Sequence, residues 1–97
     1  MTIQESKNAS TLTLSIEGRL DTVSSPELDA YSTRLEGVNE LILDCEKLEY
    51  ISSSGLRVLL KLHKAMNTQG SMKLIHVCEM VMEVFEITAF SDILNIE

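Results

Sequence analysis

Basic residues, cysteines and long apolar runs are all scarce in this chain, and each shortage removes a class of function. Eight Lys and Arg stand against fifteen Asp and Glu, giving a net charge of −7. A protein that grips nucleic acid or an anionic membrane needs a concentrated basic surface to displace counterions, so a protein or small-molecule partner is expected instead. The apolar runs reach only about five residues, far short of the roughly 20 needed to span a bilayer. Met1-Thr2-Ile3-Gln4-Glu5 has neither the basic stretch nor the apolar core of a signal peptide, which predicts a cytoplasmic protein without direct membrane insertion. The only cysteines, Cys45 and Cys78, lie far apart and each ends an apolar run. That placement predicts buried, reduced thiols rather than a disulfide or a metal pair. With one proline and four glycines, no segment reads as a linker, a repeat or a low-complexity tract.

What is present is ordinary globular material, 44% hydrophobic and 24% charged over 97 residues. A chain of that size holds one modest core, and a single domain over 1–97 is expected. From Thr11 to Glu17, Leu12, Leu14 and Ile16 alternate with polar residues, the period of a strand with one buried face. Thr2–Lys7 precedes it across the turn residues Asn8-Ala9-Ser10, which suggests an antiparallel hairpin at one end of the sheet. Ser24 and Glu27 have capping-box spacing and Pro26 suits a first helical turn, so a helix of about three turns is predicted, with Leu28, Tyr31 and Leu35 inward and Gly37 ending it. Leu41-Ile42-Leu43 is a short continuous apolar run, the pattern of a central strand covered on both faces, and Met72–Val77 reads similarly. Leu56–Met66 predicts an amphipathic helix ending near Gly70, with Arg57, Lys61 and Lys64 gathered on its polar side. A further helix runs from about Glu79 to Thr88, and Leu94–Ile96 is a candidate short strand. Strands and helices alternate as in an α/β domain, and right-handed crossovers make the sheet mixed but mostly parallel, with the helices packed against it.

Ser52, Ser53 and Ser54 lie between strand and helix, and Gly55 removes side-chain bulk where the chain enters the helix. The first N–H groups of a helix lack partners and its dipole makes that end positive, so a bound or covalent phosphate is tolerated there. One serine is needed as an N-cap; three exceed that need.

Leu41-Ile42-Leu43-Asp44 followed by Leu48-Glu49-Tyr50-Ile51-Ser52-Ser53-Ser54-Gly55-Leu56 resembles the signature of the STAS family of anti-sigma factor antagonists. Gly18-Arg19-Leu20-Asp21-Thr22 and Val84-Phe85-Glu86-Ile87-Thr88 resemble the same family in the same order, so the likeness covers nearly the whole chain. The resemblance implies a non-enzymatic partner switch. The unmodified domain binds a serine-kinase anti-sigma factor, phosphorylation of a loop serine breaks that binding, and a serine/threonine phosphatase of the metal-dependent class resets it. Matched residue by residue, the acceptor falls on Ser53, with Ser52 and Ser54 as alternatives. Asp21 and Thr22 match a neighbouring loop of the partner surface, which also takes in Ser52, Ser54, Gly55, Leu56, Arg57 and Lys61. The family loop usually reads Asp-Ser-Ser-Gly, and Ser52 stands in the aspartate's place. Ala89 stands where glycine is usual after the late threonine.

Other readings stay open at this point. A STAS-like module that binds without phosphorylation, as a subunit of a transporter or signalling assembly or as an anion or nucleotide binder, is somewhat favoured by Ser52 in the aspartate's place, whereas the near-minimal domain favours the partner switch. A serine hydrolase does not fit, because the loop is not Gly-x-Ser-x-Gly. His63 and His76 lie in apolar surroundings without a third ligand at metal-binding spacing, and Met80 and Met82 read as packing, so no metal and no cofactor are expected.

Overall fold

A computed structural model describes all residues, 1–97. Strands β1 (Thr2–Asn8) and β2 (Thr11–Leu20) are followed by a short helix α1 (Ser25–Asp29) that tightens into a 3-10 turn over Ala30–Thr33. Next come β3 (Glu40–Asp44), β4 (Leu48–Ile51), helix α2 (Ser53–Asn67), β5 (Ser71–Ile75), helix α3 (Glu79–Ile87) and a 3-10 turn at Phe90–Asp92. The five strands form one sheet in the order β1-β2-β3-β5, with β4 beside β2. As the alternation predicts, β1 pairs β2 antiparallel, while β2 with β3, β2 with β4 and β3 with β5 are parallel.

One sheet face carries the core. Leu12, Leu14, Ile16 and Leu20 of β2 point to it, with Leu41 and Leu43 of β3 and Met72 and Leu74 of β5. Leu59, Leu62 and Met66 of α2 and Val81 and Phe85 of α3 close over them. The other face is polar and partly open. Ile42, expected to be covered, is only half-buried there, flanked in register by Thr13 and Lys73. A continuous apolar run therefore misstates the layering, because the helices cover the sheet from one side only.

Several boundaries move for identifiable reasons. The three-turn helix from Ser24 contracts to α1 and its 3-10 extension, and no capping box forms. The Ser24 hydroxyl donates instead to the Arg19 carbonyl at 2.6 Å and accepts from the Asp21 N–H at 2.9 Å. Gly37 is left-handed at φ 78°, but it turns the chain after the helix has already ended. Strand β2 runs on through Gly18, φ 101°, to Leu20, and that extension is what β4 pairs with, the register shifting between Gly18 and Arg19 so that Glu49 of β4 is skipped. Strand β4 itself has no alternation: its burial reads inward, outward, outward, inward, so no periodic pattern signals it. His76 at φ 57° ends β5 before Val77, and Leu94–Ile96 contributes only a single bridge, Ile96 to Leu74. Cys45 is buried, and desolvation, helped by the Asp44 charge, pushes its thiol up to about 12, which keeps it protonated; Cys78 is half-buried and also free.

Candidate functional site

The three loop serines do three different things. Ser52 is the N-cap of α2: its backbone is extended (φ −102°, ψ 176°), its N–H donates to the Leu20 carbonyl at 2.9 Å, and its hydroxyl accepts from the Gly55 N–H at 3.4 Å. Ser54 is half-buried, with its hydroxyl 3.1 Å from that of Thr22 and 3.5 Å from Arg57 Nη2. Ser53, at the first helical position, is exposed and its hydroxyl makes no hydrogen bond within the chain. Gly55 is where the helix touches the sheet. A Cβ there would sit 2.8 Å from Leu20 Cγ, 2.9 Å from Ile51 Cγ1 and 2.9 Å from the Leu20 carbonyl oxygen.

Asp21 builds the adjoining turn. Its Oδ1 accepts from the N–H groups of Val23 and Ser24 and from the Ser24 hydroxyl, each at 3.1 Å, while Oδ2 lies 3.8 Å from Arg19 Nε. The Ser24 N–H does most to hold the Asp21 carboxyl below the usual carboxylate range; partial burial opposes this, and the Ser24 hydroxyl, the Val23 N–H and the Arg19 charge add to it. Asp21 thus shapes the loop that presents exposed Thr22 to Ser54.

The structure brings together Asp21, Thr22, Ser52, Ser54 and Arg57, and places the other three residues expected at the partner surface differently. Leu56 is 6% exposed and belongs to the core, and Gly55 is buried beneath the loop. Lys61 is exposed and pairs with Asp29, its Nζ 3.0 Å from Oδ1. Arg57 and Lys64 remain exposed on α2. Beside the loop, Arg19 stacks on Tyr50, its guanidinium carbon 4.1 Å from the ring centroid. Neither histidine approaches a loop serine, since His63 Nε2 lies 3.4 Å from Asn67 Nδ2 and His76 Nδ1 lies 3.0 Å from Asp44 Oδ1. The Asp44 hydrogen bond, reinforced by the charges of Asp44 and Glu46, raises the affinity of His76 for a proton despite opposing desolvation.

A five-stranded mixed sheet covered by helices on one face, with a serine loop capping the long second helix from the end of a short strand, defines a STAS-type fold. The chain belongs to the STAS domain family, whose model matches residues 1–97. BtrV of Bordetella bronchiseptica, provisionally named an anti-sigma factor antagonist, is 35% identical over 81 residues, which are 80% of this chain and 70% of that protein. An anti-sigma-B factor antagonist of Staphylococcus aureus is 27% identical over 84 residues, 84% of this chain and 78% of its own length. Among solved structures, the Bacillus cell fate determinant SpoIIAA in its phosphorylated form superposes with a TM-score of 0.77 at 18% identity, covering 99% of this chain and 91% of its own. A sulfate transporter family protein from Wolinella succinogenes superposes with a TM-score of 0.80 at 16% identity, covering 91% and 74%.

Proposed function

We propose that this protein is a cytoplasmic, non-enzymatic anti-sigma factor antagonist, switched by phosphorylation of Ser53. The observation that carries the reading is the division of labour among the serines: Ser52 caps the helix, Ser54 is tied to Thr22 and Arg57, and Ser53 alone offers an exposed, unengaged hydroxyl. The names of the relatives from Bordetella bronchiseptica and Staphylococcus aureus support the antagonist role. In this reading the unmodified loop docks on a serine-kinase anti-sigma factor, the kinase phosphorylates Ser53, and a serine/threonine phosphatase restores binding.

The electrostatics have the right sign for a switch that leaves the fold intact. A phosphoserine brings about −1.5 to −2 charges to the positive end of the α2 dipole, with Arg57 one turn along the helix, so the modified chain stays folded. The disruption then falls at the interface, where a desolvated phosphate or a like-charge contact costs several kcal/mol; at ~1.4 kcal/mol per decade, roughly hundredfold weakening needs no change of shape. Ser52 in place of the family's usual aspartate removes one negative charge beside the acceptor and supplies the cap by hydroxyl instead of carboxylate.

Affinity capture from the native host tests this. Wild type and Ser53→Ala should retain a serine-kinase anti-sigma factor and Ser53→Glu should lose it. A transporter or signalling subunit captured equally by all three proteins would instead establish the second reading, a binding module that works without phosphorylation, which the neutral Ser52 and the fold shared with a sulfate transporter family protein favour.

A further inference from the structure

At the β3–β4 turn the fold brings His76 to a pair of carboxylates that lie about 30 residues before it in the sequence. Asp44 is the last residue of β3, Glu46 lies two residues on, and His76 follows the last residue of β5. The parallel register sets Asp44 opposite Ile75, and the Cys45 N–H donates to the Ile75 carbonyl at 2.9 Å, so the chain leaves β5 alongside the end of β3. His76 then takes a left-handed backbone, φ 57°, and its Nδ1 comes to 3.0 Å from Asp44 Oδ1. One ligand atom from each of Asp44, Glu46 and His76 lies within 4.8 Å of the other two.

We infer that Asp44, Glu46 and His76 form a binding site for a divalent first-row transition cation, with Zn²⁺ the best-suited ion. At Zn–N and Zn–O distances of about 2.0–2.2 Å, tetrahedral ligands stand roughly 3.3–3.6 Å apart. The Asp44–His76 pair, at 3.0 Å, is a few tenths of an ångström inside that spacing, and Glu46, exposed on a turn, has a carboxylate oxygen within 4.8 Å of both and must swing inward to close the third side. An imidazole nitrogen with two carboxylate oxygens suits zinc and its neighbours better than Mg²⁺ or Ca²⁺, which take oxygen ligands. Three protein ligands leave a position for water or an external group, so the ion is exchangeable rather than buried as a structural staple. The groove beside the cluster is lined by Asp44, Glu46 and Glu17, with Lys47 its one cationic side chain. A bound ion would tie the β3–β4 turn to the end of β5, and β4 leads from that turn directly into Ser52.

The test is isothermal titration of the tag-free chain with ZnCl₂, with Co²⁺ absorption reporting coordination and circular dichroism checking the fold. His76→Gly is the informative variant because glycine takes a positive φ without strain, so the fold survives while the imidazole is lost. Binding of one ion per chain, weakened at least about tenfold by His76→Gly and by Glu46→Gln and unchanged by His63→Ala, supports the site. Absence of saturable binding at millimolar Zn²⁺, or binding that His76→Gly leaves unchanged or that His63→Ala abolishes, overturns it.

Discussion

Substituting Gly55 by alanine tests how tightly the serine loop is held against the sheet. The added methyl group would meet Leu20 Cγ at 2.8 Å, Ile51 Cγ1 at 2.9 Å and the Leu20 carbonyl oxygen at 2.9 Å, all closer than carbon tolerates. The leucine and isoleucine tips can yield a little, but the carbonyl cannot: it belongs to β2 and accepts the Ser52 N–H at 2.9 Å. The start of α2 must therefore lift away from the sheet, stretching that hydrogen bond and loosening Leu56, which is buried one residue on. Overpacking of this kind costs about 1–3 kcal/mol. In a domain of this size each kcal/mol lowers Tm by roughly 4–8 °C, so a fall of about 5–20 °C is expected. Urea unfolding followed by circular dichroism gives the free energy directly, and exchange protection of the Ser52 amide should fall with it. A loss smaller than about 0.5 kcal/mol, with the Ser52 amide still protected, would show that the loop is not wedged as described.

Ser52→Ala should cost about 0.5–2 kcal/mol by removing the α2 cap, whereas Ser52→Asp should keep the cap and leave urea stability near wild type. Ser53→Glu should raise stability by about 0.3–1 kcal/mol through the helix dipole while weakening the kinase partner at least tenfold in a binding titration. Ala89 is left-handed at φ 64°, so Ala89→Gly should stabilise the chain by about 0.5–1 kcal/mol in the same unfolding assay, the relieved strain outweighing the added chain entropy. The Asp21 carboxyl titrates below its ordinary 3.8, so the stability it contributes is present above that value and is lost as pH falls through the lower folded-state value. Unfolding curves of wild type and Asp21→Asn should accordingly differ most above about pH 4 and converge in stronger acid.

How much of this was legible in the residues depended on whether a periodic pattern was present. Strand β2, with Leu12, Leu14 and Ile16 alternating, and helix α2, with its apolar face, declared themselves, and so did the mostly parallel order of the sheet. Strand β4 did not, because it is four residues long and anchored only by Leu48 and Ile51. Ile42 was misleading because a residue on the open face can be apolar without being covered. At the site, the motif located the loop and its neighbours Asp21 and Thr22. It could not separate a capping serine from a free one, because that distinction rests on contacts with Leu20, Thr22 and Arg57. Leu56 and Lys61 followed the same limit: burial in the core and the ion pair with Asp29 are tertiary facts. The meeting of Asp44 with His76 had no local signal, since it depends on the register of β3 against β5.

The most direct test of the phosphorylation switch is intact and peptide mass spectrometry of the protein recovered from its native host, with and without phosphatase treatment, for wild type and Ser53→Ala. The account predicts a phosphatase-sensitive phosphate on Ser53 in wild type that is absent from the variant. A phosphate confined to Ser52 or Ser54, or none on the loop under any growth condition, would contradict it.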